Sequence, residues 1–129
     1  MVTSVVRYQA TLSPMLIEIE SQSDVCILRL KGRFVTVTDP DYLRSKTDEV
    51  KTRNCSKLLV DLSEVSSIGS TAIGFVVGLY TTITKKADGR FSLAGANSRV
   101  QEVLDLTRLS TVIPLAADTG SALAALLVD

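Results

Sequence analysis

From position 16 apolar and acidic residues alternate: Leu16, Glu18 and Glu20 fall on one side and Ile17 and Ile19 on the other. That period of two predicts a strand, and the polar run Ser21-Gln22-Ser23-Asp24 behind it predicts a turn. A second strand follows over Val25–Leu30, closed by Lys31-Gly32-Arg33, so the pair reads as a hairpin. Asp39-Pro40 then offers an N-cap with proline at the first helical position, and Leu43, Thr47 and Val50 share one face of a helix running to about Arg53. Lys57–Leu62 is short and almost continuously apolar, as a central strand covered on both faces would be. From Ser70 onward Ile73, Val76, Val77, Tyr80, Thr84 and Ala87 recur at intervals of three and four, which predicts a second helix with that stripe against the sheet. Its end is marked by Lys85-Lys86, with Gly89 suited to a left-handed cap.

Arg90–Ala94 reads as a further strand, and Asn97 as the cap of a third helix with Val100, Val103, Leu104 and Thr107 inward. Val112–Leu115 reads as a short strand interrupted by Pro114. A final helix, capped by Asp118 or Thr119, would bury Ala122, Leu123, Leu126 and Leu127. Residues 1–15 lack a steady period and are expected to form an arm or an extra strand. The rest, 16–129, reads as one α/β domain: a mixed, mainly parallel sheet of four to five strands with about four α-helices.

Composition narrows the function. Fourteen basic and fourteen acidic residues cancel, which removes the general attraction to a phosphate backbone or an anionic bilayer, so neither nucleic-acid binding nor membrane insertion is expected. No apolar run approaches the roughly 20 residues of a membrane span and no leader precedes the fold, so a cytoplasmic location is expected. The chain has no histidine, which removes the commonest general base and metal ligand. Asp39 and Asp41 flank Pro40, and a helix start accounts for them. The expectation is therefore a binding protein, not an enzyme, with no cofactor and no metal. Cys26 and Cys55 form no CxxC pair, and Cys26 is expected to pack in the core as a reduced thiol.

The stretch Leu59-Val60-Asp61-Leu62-Ser63-Glu64-Val65-Ser66-Ser67-Ile68-Gly69-Ser70-Thr71-Ala72-Ile73-Gly74 resembles the signature of STAS domains, the sulfate-transporter and anti-sigma-factor-antagonist family. In that family an apolar strand and Asp-Leu-Ser are followed by a short loop and Asp-Ser-Ser-Gly-Leu-Gly opening a helix. The resemblance continues through Gly89-Arg90, Phe91-Ser92-Leu93 and the stretch from Arg99 to Leu109, which matches a family segment ending in Leu-Thr-Gly-Leu. It implies an anti-sigma-factor antagonist, whose partner is both anti-sigma factor and serine kinase. By position Ser70 would be the phosphorylated residue, with Thr71 as the alternative. Gly69 stands where the family has aspartate, Ala72 where it has glycine, and Arg108 where it has the glycine after Leu-Thr. The loss of the aspartate favours a second reading, a non-switching scaffold in a signalling assembly or transporter complex, and leaves a homodimer open.

A helix N-terminus tolerates an anion because its first N–H groups lack helical partners and carry partial positive charge. Ser70 is expected there as a cap, with Gly69, Ser70, Thr71, Phe75 and Gly78 forming the partner-binding face. Phe75 lies off the Ile73, Val76, Val77, Tyr80 stripe and is expected to be an exposed aromatic contact. Lys85-Lys86 reads as a solvated helix end. Asp61 reads as a brace for the loop after its strand.

Overall fold

The computed structural model describes residues 15–22, 24–34 and 40–127. The expected arm over 1–14, the Asp39 cap and the chain's last two residues lie outside them. In order come β1 (Leu16–Gln22), β2 (Val25–Phe34), α1 (Pro40–Thr52), β3 (Lys57–Ile68), α2 (Ser70–Thr84), β4 (Arg90–Ala94), α3 (Ser98–Leu106), a short 3₁₀ turn (Leu109–Thr111), β5 (Leu115–Ala116) and α4 (Thr119–Leu127).

The five strands form one sheet in sequential order, with β1 antiparallel to β2 and every later neighbour parallel. Sequential parallel strands joined by crossovers of one hand place their helices on one face. The larger core cluster shows this: Leu43 and Val50 of α1, Val76 and Leu79 of α2, and Val100 and Leu104 of α3 pack on Leu28, Leu58, Val60 and Leu93. Among the described residues the opposite face is covered by α4, whose Ala122 and Leu126 pack on Val25, Ile27, Leu59 and Ala94. Where α4 stops, that face carries a self-neutralising ladder. Arg29 bonds Glu20 and lies 3.7 Å from Asp61, while Lys31 lies 3.0 Å from Glu18 and 3.8 Å from Glu64. The carboxylate partners hold both cations above their ordinary pKa, first through the hydrogen bond that Arg29 donates to Glu20 and the one that Lys31 donates to Glu18.

The structure departs from the sequence reading at several places. β3 runs on to Ile68 because β2 also continues, and two register shifts let Gly32 pair with Val65 and Phe34 with Ile68, burying Val65, Phe34 and Ile68. β5 starts at Leu115 rather than Val112, since Pro114 has no N–H to give the ladder; its carbonyl accepts from Leu93 N–H at 2.9 Å instead. The C-cap of α2 is Lys85 in right-handed conformation, not a left-handed Gly89. Gly89 is needed for closeness: a Cβ there would stand 1.8 Å from the Ile83 carbonyl oxygen. In α3, Thr107 is an exposed C-cap instead of an inward residue, and in α4, Leu127 is half exposed. Asp118, not Thr119, caps α4, its Oδ1 accepting from Ser121 N–H at 2.7 Å. Cys26 is buried as expected but is not a free thiol, being disulfide-bonded to Cys55.

Candidate functional site

The strand β3 delivers the chain to the start of α2 through a held rim. Asp61, nearly buried, accepts Ser63 N–H on Oδ1 at 2.9 Å, the brace expected from its place in the turn. Asn97 caps α3 by accepting Val100 N–H at 2.9 Å, and its amide donates to the Val65 carbonyl at 2.9 Å and that of Ser66 at 3.3 Å. Gly69 N–H donates to the Phe34 carbonyl at 2.8 Å, tying the entry of α2 to the end of β2.

Gly69, not Ser70, is the N-cap of α2, with extended backbone (φ −122°, ψ −173°) and no side chain to offer a cap bond. Its carbonyl accepts the first intrahelical bond, from Ile73 N–H at 3.0 Å. The N–H groups of Ser70, Thr71 and Ala72 therefore have no helical partner. Ser70 is the first helical residue, and both it and Thr71 are exposed. The expectation of a solvent-facing hydroxyl at this helix start holds, while its assignment as the cap is corrected.

The helix itself is turned about one residue from the predicted stripe. Ala72, Phe75, Val76, Leu79 and Ile83 are buried, whereas of the predicted stripe Ile73, Val77 and Tyr80 are only half-buried and Thr84 and Ala87 are exposed. Phe75, 8% exposed, is part of the main core, so the expected exposed aromatic is not present on this face. What faces solvent is Ser70, Thr71, Gly74, Gly78 and Thr81, with Thr84 exposed at the helix end. A Cβ at Gly74 or Gly78 would meet nothing within 4 Å. Each glycine costs roughly 1 kcal/mol against alanine in a helix interior, and no packing among the described residues requires it. Gly74 was the residue the sequence reading left out of the face; its spacing of four from both Ser70 and Gly78 was the signal.

Other features lie elsewhere. Lys86 donates to the Cys55 carbonyl at 2.5 Å, so it ties the end of α2 to the turn before β3. A cleft of about 310 Å³ beside the start of β4 is lined by Tyr80, Thr84, Phe91, Val112 and Leu126 among others, at the end of α2 remote from Ser70. Among the described residues no group of three or more acidic, cysteine or histidine side chains is placed to hold a metal, and no helix is long and apolar enough to cross a membrane.

Comparison with known proteins follows the same lines. An anti-sigma F factor antagonist of Paenibacillus polymyxa is 29% identical over 100 residues, covering 77% of this chain and 84% of the relative. A crystal structure of an anti-sigma factor antagonist from Mycobacterium paratuberculosis superposes with a TM-score of 0.77 at 21% identity, covering 87% of this chain and 93% of the other. The Bacillus cell fate determinant SpoIIAA in its phosphorylated form superposes with a TM-score of 0.65 at 16% identity, covering 84% and 97%. The family model for the STAS domain matches residues 17–122, and with the sequential sheet and the helix opened at Gly69-Ser70 the chain belongs to the STAS domain family.

Proposed function

We propose that this chain is an anti-sigma-factor antagonist of a partner-switching system regulating transcription in the cytoplasm, controlled by phosphorylation of Ser70 by an anti-sigma factor with serine kinase activity. The observation that carries the reading is the exposed Ser70 hydroxyl on the first residue of α2, beside N–H groups without helical partners. Phosphorylation adds roughly −1.5 to −2 charges and three acceptor oxygens. The helix start accommodates that charge by its partial positive end, so the fold survives. A partner surface shaped to a neutral hydroxyl meets repulsion and desolvation instead.

Docking is assigned to the outward face of α2, Gly69, Ser70, Thr71 and Gly78 from the sequence reading together with Gly74. Phe75 is not part of it, because it is core. The side-chain-free positions allow a partner to approach the helix backbone, which accounts for two glycines whose cost packing among the described residues does not return. In support, the family relative above is named an antagonist of an anti-sigma factor, and one fold neighbour is described in a phosphorylated form.

The test is incubation with the cognate kinase and ATP. The expected mass increase is one phosphate, absent in Ser70→Ala; labelling that persists there and vanishes in Thr71→Ala moves the site to Thr71. Gly69 favours the second reading, a fixed scaffold without phosphorylation. Co-purification of a permease or a larger signalling assembly, with no labelling of either hydroxyl, would replace the first reading by the second.

A further inference from the structure

Cys26 and Cys55 are the chain's two cysteines, and the Ser70 site does not use them. Cys26 is the second residue of β2; Cys55 follows the turn at the end of α1, where Asn54 takes a left-handed conformation (φ 55°). Their Cα atoms are 5.8 Å apart, inside the roughly 4.4–6.8 Å that a disulfide spans. The bond therefore fits the fold without moving either backbone. With no third cysteine, the pairing has no competitor.

Polar groups border the pair. The Ser21 hydroxyl lies 3.7 Å from Cys26 Sγ and accepts from the Arg53 guanidinium at 2.9 Å. The Lys86 ammonium sits on the Cys55 carbonyl. The thiolate is the species that attacks and leaves in thiol–disulfide exchange, and burial of both sulfurs in the apolar cluster holds exchange back while the turn stays closed. Both cysteines are only 3% exposed, so access runs through opening of the exposed Thr52–Asn54 turn rather than through the core.

We propose that Cys26 and Cys55 form a reversible thiol–disulfide site that exchanges with low-molecular-weight disulfides and sets the stability of the domain, at the end of β3 opposite Ser70. One thiolate attacks the small disulfide, forming a mixed disulfide and releasing one small thiol. The second thiolate displaces the remaining small thiol and closes the protein disulfide. The protein loses two electrons and two protons, which end on the two released thiols. In a compartment kept reducing the pair rests as two buried thiols, and oxidation is transient.

The oxidised pair closes a loop with a sequence separation of 29, which restricts the unfolded chain and is expected to raise Tm by roughly 10 °C. The full chain is equilibrated in glutathione buffers of rising oxidised fraction, thiols are counted by alkylation and mass spectrometry, and melting is followed on the same samples. Expected are two alkylated thiols falling to none across the series, a parallel rise in Tm, and return on adding dithiothreitol. A Cys26→Ala/Cys55→Ala variant should melt at one temperature in every buffer. A pair that stays oxidised in excess reduced glutathione is a permanent cross-link and overturns the proposal. Two thiols persisting in oxidised glutathione, or a disulfide that leaves Tm unchanged, also overturn it. None of these outcomes depends on the state of Ser70, so the two readings fail separately.

Discussion

Replacing Phe75 by alanine should unfold the domain more readily without acting on the docking face directly. Phe75 is 8% exposed and belongs to the same buried cluster as Val76, Leu79 and Ile83. Truncation withdraws on the order of 150 Å² of apolar surface, which at about 25 cal/mol per Å² is about 4 kcal/mol. That agrees with the roughly 3–5 kcal/mol found for such truncations, where the cavity left behind adds to the lost transfer energy. Since a domain holds roughly 5–15 kcal/mol in all, the variant should lose a large share and melt roughly 15 °C lower. Urea unfolding followed by circular dichroism measures the loss, with Val77→Ala, at a half-buried position, as the comparison on the same helix. A loss below about 1 kcal/mol for Phe75→Ala, within the range of surface substitutions and slight contacts, would refute the assigned helix phase and return Phe75 to the surface.

Gly78→Ala should do the reverse, stabilising by about 0.5–1 kcal/mol in urea unfolding while weakening capture of the anti-sigma partner in a pull-down; unchanged capture would remove Gly78 from the docking face. Gly69→Asp places a capping carboxylate on an extended N-cap and should add a few tenths to about 1 kcal/mol, with faster labelling of Ser70 in the kinase assay. Arg108 holds a left-handed backbone (φ 64°), so Arg108→Gly relieves roughly 1 kcal/mol of strain, partly offset by the freer unfolded chain, for a net gain below about 1 kcal/mol in the same titration. The Asp118 carboxyl is held below its ordinary value of 3.8 by hydrogen bonding to Ser121 N–H. Because the folded pKa is the lower one, its stabilisation is present above pH 3.8 and is lost as pH falls through the folded value. The wild-type advantage over Asp118→Ala in urea unfolding should therefore shrink in acid and remain level around neutrality.

Element order was legible in the sequence because each strand and helix has its own period, and turn residues such as Asn97 and Asp118 carry local chemistry that tertiary context left alone. The phase of α2 was not legible. Ile73, Phe75, Val76, Val77, Leu79, Tyr80 and Ile83 spread over more than half of the helix circumference. Stripes through Phe75, Leu79 and Ile83 and through Ile73, Val77 and Tyr80 fit the helical period equally well. Only contact with the sheet chooses between them. The continuation of β3 to Ile68 was hidden for a related reason, since bulges break the alternation that a sequence pattern depends on. The pairing of Cys26 with Cys55 needs the turn at Asn54, a long-range closure that spacing along the chain does not reveal. Arg108 shows the opposite case: the resemblance marked a glycine position, and the backbone there is left-handed although the side chain is arginine.

On the proposed function α2 is divided lengthwise between two tasks, holding the domain together and meeting a partner. A turn of one residue, about 100° around a helix, exchanges the residues that hold the domain together for those that meet a partner. With Phe75 inside, the outward face has no aromatic anchor; it has Ser70, Thr71, Gly74, Gly78 and Thr81, and its distinguishing property is the shortness of its side chains. A face of that kind recognises by closeness rather than by a deep contact, so a bulky, strongly hydrated phosphate at its first residue costs the partner the most. The buried row of Ala72, Phe75, Val76, Leu79 and Ile83 is untouched by that charge. On that reading association is vetoed at Ser70 while the helix and the sheet beneath it stay folded.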